Sequence, residues 1–416
     1  MSQAAITSTS APAGEPRAFP LRLGVANLGL FAALLPPVLV TMALKVEQVA
    51  PATKEGSLAL VLGVGAFVAL IVNPLVGRLS DRTGSRFGRR RPWLLGGAVA
   101  GTAGIAVVAA APSVLVIVLG WSLAQAGYNA VLSTLTATIP DQVPAERRGA
   151  VSGAMGMTQT GAILLGMVGM ATIAGISAKF LVPAAFGLVL ITVFTVTLPD
   201  RRLDGAPPRF SLKEFARSFW VNPVRHPDFG WAWFTRFLVM LAAFTPTSYM
   251  AYYLPDHIGV AEDDVAGTLG VILIVGYALT AVTAGVGGWL SDRFGGRRKV
   301  FVITAAAVIS LGLALLVVAS TVAGVLLAQA VIGIGSGIFF AVDMALVTQV
   351  LPDPETAAKD LGVINIANAL PQSLAPAIAP LLLAIGGGGN YAALFTFAAV
   401  VGLAGAVLVT RIKGVR

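Results

Sequence analysis

The sequence predicts an all-α membrane protein with twelve transmembrane helices in two pseudo-symmetric six-helix bundles. Three observations support this fold class. Of the 416 residues, 56% are hydrophobic and only 11% are charged; twelve apolar stretches reach membrane-spanning length; and one motif occurs twice. A water-soluble domain carries about a quarter charged residues, whereas lipid excludes charge over spans of roughly 20 residues. The length of the chain therefore limits how many transmembrane helices it contains, and not how many soluble domains.

The apolar stretches divide evenly between two halves of the chain. Spans one to six cover residues 21–44, 57–79, 93–111, 114–138, 150–172 and 177–198, and spans seven to twelve cover 229–253, 265–290, 300–319, 322–350, 360–385 and 389–411. The predicted domains are thus a 21–198 bundle and a 229–411 bundle. Residues 1–20, rich in Ser, Ala and Pro, are expected to form a disordered tail, and residues 412–416 a second tail.

Residues 199–228 are expected to link the two bundles. Leu212, Phe215 and Phe219 share one helical face, while Lys213 and Arg217 lie away from it. This pattern is typical of a helix that lies in the inner headgroup layer of a membrane. A solvated linker is the alternative.

A repeated motif ends span two and span eight. Gly77 to Gly84 reads Gly-Arg-Leu-Ser-Asp-Arg-Thr-Gly, and 211 residues later Gly288 to Gly295 reads Gly-Trp-Leu-Ser-Asp-Arg-Phe-Gly. The helix dipole repels a carboxylate at a helix C-terminus, so each aspartate needs a nearby cation or another helix N-terminus. We expect a breakable gating contact at Gly77, Asp81, Arg82, Arg89, Gly288, Asp292 and Arg293. The alternative is that the motif only sets topology and turn shape.

The basic residues predict the orientation of the chain. If the 80–92 turn is cytoplasmic, most loop arginines and lysines fall on that side, and among loop residues only Lys45, Lys54 and Lys179 fall outside. This asymmetry follows the positive-inside rule and requires an even number of spans. We therefore expect a multi-pass protein of the cell membrane with both termini cytoplasmic. The net charge of +9 then needs no nucleic-acid partner.

Two charged residues lie clearly inside spans. Arg236 in span seven and Asp343 in span ten are each seven residues from the cytoplasmic end of their span, about 10 Å deep at 1.5 Å rise per residue. A charge in the bilayer costs a few kcal/mol or more and is normally paired. We predict an ion pair between them. It either couples protons to transport through Asp343 or permanently holds the second bundle together.

Neutral polar residues predict a substrate-binding face. Gln125, Tyr128 and Asn129 stand at i, i+3 and i+4 of span four and share one side. Further candidates are Asn27, Tyr249, Tyr252 and Tyr277. The alternative is that each only makes an interhelical hydrogen bond, worth about 1 kcal/mol or less. In span eleven, Asn365, Asn368 and Gln372 share a face of a proline-rich helix, which we expect to bend and gate.

The chain resembles the major facilitator superfamily over essentially its whole length. The motifs that carry the resemblance are Asn73-Pro74-Leu75-Val76-Gly77, Ser80-Asp81-Arg82, Ser85-Arg86-Phe87-Gly88 and Arg89-Arg90-Arg91-Pro92, with Leu351-Pro352-Asp353 and Asp360-Leu361-Gly362 in the second half. They look like those of the sucrose/proton symporters and the glycoside-pentoside-hexuronide:cation symporters. The resemblance implies alternating access by a rocker motion, with spans one, four, seven and ten lining the cavity. Span four, however, reads Gln125-Ala126-Gly127-Tyr128-Asn129, without the carboxylate and basic residue of those symporters.

Other function classes are disfavoured. The chain has no Gly-Lys dipeptide, hence no phosphate-binding loop of the ATPase type, and Gly333, Gly335 and Gly337 lie inside a span and not after a strand. With no cysteine and two histidines expected on opposite sides of the membrane, we expect no cofactor, no metal and no enzymatic activity. The prediction is a secondary transporter, functional as a monomer, moving a sugar or glycoside with protons. An antiporter that exports drugs or secreted metabolites remains the alternative.

Overall fold

A computed structural model describes residues 18–144, 147–200, 221–293, 298–351 and 357–414. Across these ranges the chain is helical, with short turns and no strand. Several expectations lie outside the described residues: nearly all of the N-terminal tail, the linker helix between Phe210 and Trp220, and the turn that follows Arg293.

Twelve helices make up the described chain, and the predicted all-α, twelve-helix fold is confirmed. The first half contains α1 (Phe19–Val49), α2 (Lys54–Asp81), α3 (Arg91–Ala110), α4 (Val114–Gln142), α5 (Arg148–Thr172) and α6 (Ile176–Thr197). The second half contains α7 (Pro227–Ile258), α8 (Glu262–Arg293), α9 (Arg298–Val318), α10 (Val322–Gln349), α11 (Ala357–Leu383) and α12 (Tyr391–Arg411). Among the described residues, eleven of these helices are long and apolar enough to cross a membrane. The remaining helix, α5, has 25 residues but is less apolar because Thr158 and Gln159 interrupt it.

The packing of the two halves is related by a pseudo-two-fold axis. In the first half α1 packs on α5 and α6, α4 packs on α2 and α3, and α3 packs on α6; in the second half α7 packs on α11 and α12, α10 packs on α8 and α9, and α9 packs on α12. Between the halves, α2 packs on α11 and α5 packs on α8. The same symmetry exchanges these two contacts. The motif repeat seen in the sequence therefore corresponds to a repeat of the whole six-helix unit.

Glycines allow the inner helices to approach closely at equivalent places. A Cβ atom added to Gly65 in α2 would lie 2.2 Å from Nε1 of Trp121 in α4. One added to Gly276 in α8 would lie 2.5 Å from Nε2 of Gln329 in α10. Real Cβ atoms do not make such contacts, so a side chain at either position would require the facing Trp121 or Gln329 side chain to shift.

Helices α1 and α7 are irregular near their middle and outer parts. In α1 a wider π-helical turn, Pro37–Thr41, separates two α-helical segments. In α7 the first segment, Pro227–Thr247, ends just after Pro246, and a π-helical turn at Leu254–Ile258 closes the helix. Proline lacks the N–H that continues an α-helix and its ring clashes with the preceding turn. The prolines thus explain why both helices depart from regular α-helical geometry at these points.

One prediction from the charge pattern is corrected. Lys45 was expected in an outer loop, but it lies within α1 and is buried, and its Nζ donates to the backbone carbonyl of Ala109 at 3.2 Å. Ala109 is near the C-terminus of α3, where the helix dipole attracts a cation. Lys54 and Lys179 also lie in helices, at the first turns of α2 and α6. The helices are longer than the apolar stretches in the sequence, because their terminal turns contain polar residues that those stretches leave out.

Candidate functional site

The two charged residues predicted to pair inside the second half are in contact. Arg236 of α7 donates from Nη1 to Oδ2 of Asp343 of α10, and both side chains are buried. The Nε of Arg236 donates to Oδ1 of Asn368 in α11 at 2.7 Å. One guanidinium therefore joins α7, α10 and α11. Buried ions need both a counter-charge and hydrogen bonds, and Arg236 has both here.

Asn368 also connects this ion pair to the predicted gating face of α11. Nε2 of Gln372 donates to the backbone carbonyl of Asn368 at 3.3 Å, and the side chains of Asn365 and Gln372 are exposed. Helix α11, which carries Asn368, also packs on α2 of the other half. The gating role of these three residues stays a prediction.

A second polar group lies between α2 and α4 in the first half. Nδ2 of Asn129 donates to Oε1 and to the backbone carbonyl of Gln125, each at 2.9 Å. Nδ2 of Asn73 in α2 reaches Oδ1 of Asn129 at 3.4 Å. We call Asn73, Gln125 and Asn129 the amide cluster. It contains only neutral donors and acceptors.

The structure divides the predicted polar stripe of α4. Tyr128 is fully buried and its ring lies against Gly101 of α3, with its hydroxyl 3.5 Å from Oγ1 of Thr102. Gln125 and Asn129 instead bond to each other and to α2. Residues at i, i+3 and i+4 spread over a wide arc of the helix surface. Helix α3 contacts one edge of that arc on α4, and α2 contacts the other edge. Asn73 was not among the predicted substrate residues, and the available signal was that it is the polar residue of the Asn73-Pro74 motif inside α2.

The remaining substrate candidates also have partners. Nδ2 of Asn27 donates at 2.9 Å to both the carbonyl of Met155 and Oγ1 of Thr158, tying α1 to α5. Tyr277 is half-buried on α8 and packs against the hydrophobic core. The structure therefore does not bring Asn27 or Tyr277 into the amide cluster.

The three outer tyrosines of α7 are buried with their hydroxyls engaged by backbone carbonyls. Tyr249 donates to Glu55 or Pro376, each at 3.1 Å, and Tyr252 donates to Ala43 at 2.9 Å. Tyr253 lies 3.1 Å from the carbonyls of both Leu316 and Ala319. In this conformation the hydroxyls hold helices together, and the contact of Tyr249 and Tyr252 with substrate stays a prediction.

The first copy of the repeated motif forms a network of charges at the end of the bundle that carries Arg86 to Arg91, here called the basic end. Arg90 contacts Asp81 at 2.6 Å and Asp141 at 2.8 Å, and its Nη1 donates to Oγ of Ser80 at 2.6 Å. Arg89 contacts Asp141 at 2.5 Å. Asp81 therefore has the predicted cationic partner, and that partner is Arg90.

Sequence reasoning missed three residues of this network, Arg90, Asp141 and Asp200. Burial lowers the pKa of the Arg90 guanidinium, but hydrogen bonding and charge from Asp141, and then from Asp81, more than offset the burial, so the pKa is raised. The backbone N–H groups of Arg90 and Arg91 both donate to Oδ2 of Asp200, at 2.7 and 2.9 Å. Four helix ends, those of α2, α3, α4 and α6, thus meet at one loop.

The other members of the motif are placed as follows. A Cβ atom on Gly77 would lie 2.9 Å from Oγ of Ser133 in α4, which agrees with the expected close approach. Arg82 is half-buried and Arg293 is exposed. Gly288 and Asp292 lie in the last turns of α8, and their surroundings are outside what the structure describes.

Comparison with known proteins identifies the family. The profile of the family described as "MFS/sugar transport protein" matches residues 53–388. The chain belongs to the MFS/sugar transport protein family of the major facilitator superfamily. As a member of this transporter family it is a multi-pass membrane transporter and not an enzyme. The predicted superfamily is confirmed.

Individual relatives of this MFS/sugar transport protein agree with the family. An uncharacterized symporter from Synechocystis sp. is 51% identical over 49 residues, which are 12% of this chain and only 8% of that relative. The crystal structure of the nucleoside transporter NupG matches with a TM-score of 0.73 at 14% identity, over 95% of this chain and 99% of that one.

A second solved structure has the same fold. It is a bacterial homologue of the human lysosomal transporter Spinster, in an inward-facing and unoccupied conformation, which matches with a TM-score of 0.65 at 14% identity over 95% and 94% of the two chains. At these identities both structures establish the fold alone.

Proposed function

We propose that this transporter is a proton-coupled symporter that takes up a small hydroxyl-rich solute, a sugar or glycoside, by alternating access. The observation that carries the proposal is the buried contact between Arg236 and Asp343 inside a chain of the MFS/sugar transport protein family. A carboxylate and a guanidinium that serve only to hold helices together are usually replaceable by apolar residues. Their presence in a membrane span favours a role in ion movement.

Asp343 is the proposed proton acceptor. When a proton neutralises its carboxylate, Arg236 loses its counter-charge but keeps the hydrogen bond to Oδ1 of Asn368. The guanidinium is therefore held in place through the cycle, while α10 is released from α7. This sequence of events links protonation to the contact between α11 and α2 across the two halves.

The amide cluster is the proposed contact for the solute. Amide groups both donate and accept hydrogen bonds, which suits hydroxyl groups that do the same. The Asn73 to Asn129 distance of 3.4 Å is long for a hydrogen bond, so a solute hydroxyl replaces it at little cost. The neutrality of the cluster favours an uncharged solute over a sugar acid.

Orientation and assembly complete the proposal. The basic end carries the arginine-rich turn and is proposed to face the cytoplasm, which places both termini there and the Lys54 end outside. The proposed location is the cell membrane, with the lipid bilayer as the chain's surroundings. Both bundles belong to one chain, so a monomer contains a complete pathway.

Uptake into proteoliposomes tests the function. Purified protein is reconstituted and offered radiolabelled monosaccharides, disaccharides and a nucleoside, itself a glycoside, under an inward proton gradient. At least one solute is expected to accumulate, and accumulation is expected to collapse with a protonophore. Failure of the whole panel together with efflux of an amphipathic dye would favour the antiporter.

Substitution of the proposed acceptor tests the coupling. Asp343→Asn is expected to abolish gradient-driven accumulation while keeping exchange of labelled for unlabelled solute, because the amide cluster is intact. Asp264→Asn, which removes an exposed carboxylate at the start of α8, is the matched control and is expected to accumulate solute normally. Proton-driven accumulation by Asp343→Asn would exclude the coupling role.

A further inference from the structure

A group of contacts joins the two halves at the end of the bundle opposite the basic end. Nζ of Lys54, in the first turn of α2, lies 2.9 Å from Oδ1 of Asp256 at the end of α7. The hydroxyls of Tyr249 and Tyr252 in α7 donate to backbone carbonyls of Glu55 and Ala43 in the first half. Both side-chain hydroxyls are fully buried, so these bonds exclude water from the junction.

Each charged member of this junction has a second partner in its own half. Lys54 also contacts Oε1 of Glu47 at 2.7 Å, and Glu47 belongs to α1 of the same half. Oδ2 of Asp256 accepts a hydrogen bond from the hydroxyl of Tyr391 in α12 at 2.9 Å. The Lys54 ammonium also lies 4.8 Å from the centre of the Tyr252 ring. Lys54 and Asp256, which form the ion pair between the halves, are thus each held in place by a partner in their own half.

This arrangement allows the bond to break reversibly. Removing the partner of a buried ion normally leaves a charge without compensation, which is costly. Here separation of the halves leaves Lys54 with Glu47 and Asp256 with Tyr391. The exposed fractions of the Lys54 and Asp256 side chains are 14% and 34%, so water reaches both ions as they part and screens their attraction.

We propose that Lys54 and Asp256 form the outer gate of the transporter, and that Glu47 and Tyr391 are the partners that hold the two ions when the gate is open. The aromatic contacts of Tyr249 and Tyr252 seal the closed gate beneath the ion pair. In an alternating-access cycle the ion pair forms when the pathway opens at the basic end and breaks when it opens at the opposite end. Glu47 contacts Lys54 in the closed gate as well, but in the open gate it is the counter-charge that remains, so Glu47 favours the open gate and Asp256 the closed one.

Distances between spin labels test the gate, and the chain has no cysteine of its own to remove. Labels are attached to Ser113→Cys and Ser320→Cys, which replace exposed residues of the α3–α4 and α9–α10 connections at the gate end. Asp256→Asn and Lys54→Gln are each expected to shift the distance distribution toward longer separations. The ratio of open to closed populations is expected to rise about two- to fivefold, as for a partly exposed ion pair.

Two variants make the result specific. Glu47→Gln removes the partner of the open state and is expected to leave the population closed or to close it further. Asp263→Asn removes an exposed carboxylate at the start of α8 and is expected to change nothing. Unchanged distances in both Asp256→Asn and Lys54→Gln would overturn the gate. A shift to longer distances in Glu47→Gln would overturn the role of Glu47. If one of the two gate variants fails to fold, the other alone decides.

Discussion

The seam between α2 and α4 contains amides, whereas the equivalent seam between α8 and α10 is packed with glycines. A Cβ atom added to Gly65 would lie 3.3 Å from Cγ of Gln125. A Cβ atom added to Gly333 would lie 2.5 Å from the backbone carbonyl oxygen of Gly276. The polar groups of the α8–α10 seam are the hydroxyls of Thr280 and Thr283, bonded to the backbone carbonyls of Gly333 and Ile334, and the amide of Gln329 beside Gly276, so the two seams differ in the kind of polar group they hold. The α2–α4 seam holds a cluster of side-chain amides, whereas in the α8–α10 seam hydroxyls bond to backbone carbonyls.

The buried ion pair, in contrast, lies in the second half. In the second half a guanidinium joins α7, α10 and α11. In the first half the neutral amide of Asn27 joins α1 to α5. The comparison indicates a division of labour under the proposed function, with solute binding in the first half and proton binding in the second.

The largest expected effect comes from removing the cation of the charged half. Arg236→Leu leaves Asp343 buried without a counter-charge, and the free energy of unfolding is expected to fall by about 3–5 kcal/mol. Thermal unfolding in detergent, followed by tryptophan fluorescence, measures the loss. Asn27→Leu, which removes the neutral tie of the other half, is expected to lose only about 1 kcal/mol.

A double substitution separates charge from packing in that experiment. Arg236→Leu combined with Asp343→Asn removes the buried carboxylate as well and is expected to recover most of the stability. Equal unfolding temperatures for the single and double variants would show that Arg236 acts through its volume, and the contrast between charged and neutral halves would lose its energetic basis.

A smaller effect is expected from filling the glycine seam of the second half. A Cβ at Gly337 would lie 2.0 Å from Oγ1 of Thr283 and 2.4 Å from the backbone carbonyl of Thr280. Gly337→Ala is therefore expected to push α8 and α10 apart and to cost about 1–3 kcal/mol. Gly285→Ala, in α8 where a Cβ would meet nothing within 4 Å, is the control. Unfolding temperatures that match between the two variants would refute tight packing at this seam.

Sequence reasoning predicted the helices and the repeat because both depend on composition along the chain. The Arg236 to Asp343 contact was also accessible, since two charges at equal depth in a bilayer have few alternatives. The direction of each polar face was harder to predict. Tyr128 turned to α3 and Asn129 to α2, because glycines such as Gly101 and Gly65 decide how closely each neighbour approaches.

The sequence predicted the charge of the loops, but not which of their side chains form contacts. Several arginines follow Asp81, and spacing alone does not select Arg90, whose position depends on where the ends of α4 and α6 bring Asp141 and Asp200. Likewise, the tyrosines of α7 bond to backbone carbonyls, which leave no signal in a sequence. Side-chain to backbone contacts between distant segments are the part of the site that requires coordinates.

The smallest expected effect is on solute affinity in the neutral half. Asn129→Ala removes an amide that bonds Gln125 and approaches Asn73, and loss of one neutral hydrogen bond costs about 1 kcal/mol. The KM for uptake is expected to rise about fivefold, with the dependence on the proton gradient unchanged, because Asp343 lies in the other half. Thr136→Ala, which removes a hydroxyl bonded only within α4 to the Leu132 carbonyl, is the control. A change in proton dependence with unchanged KM would reverse the assignment of the two halves.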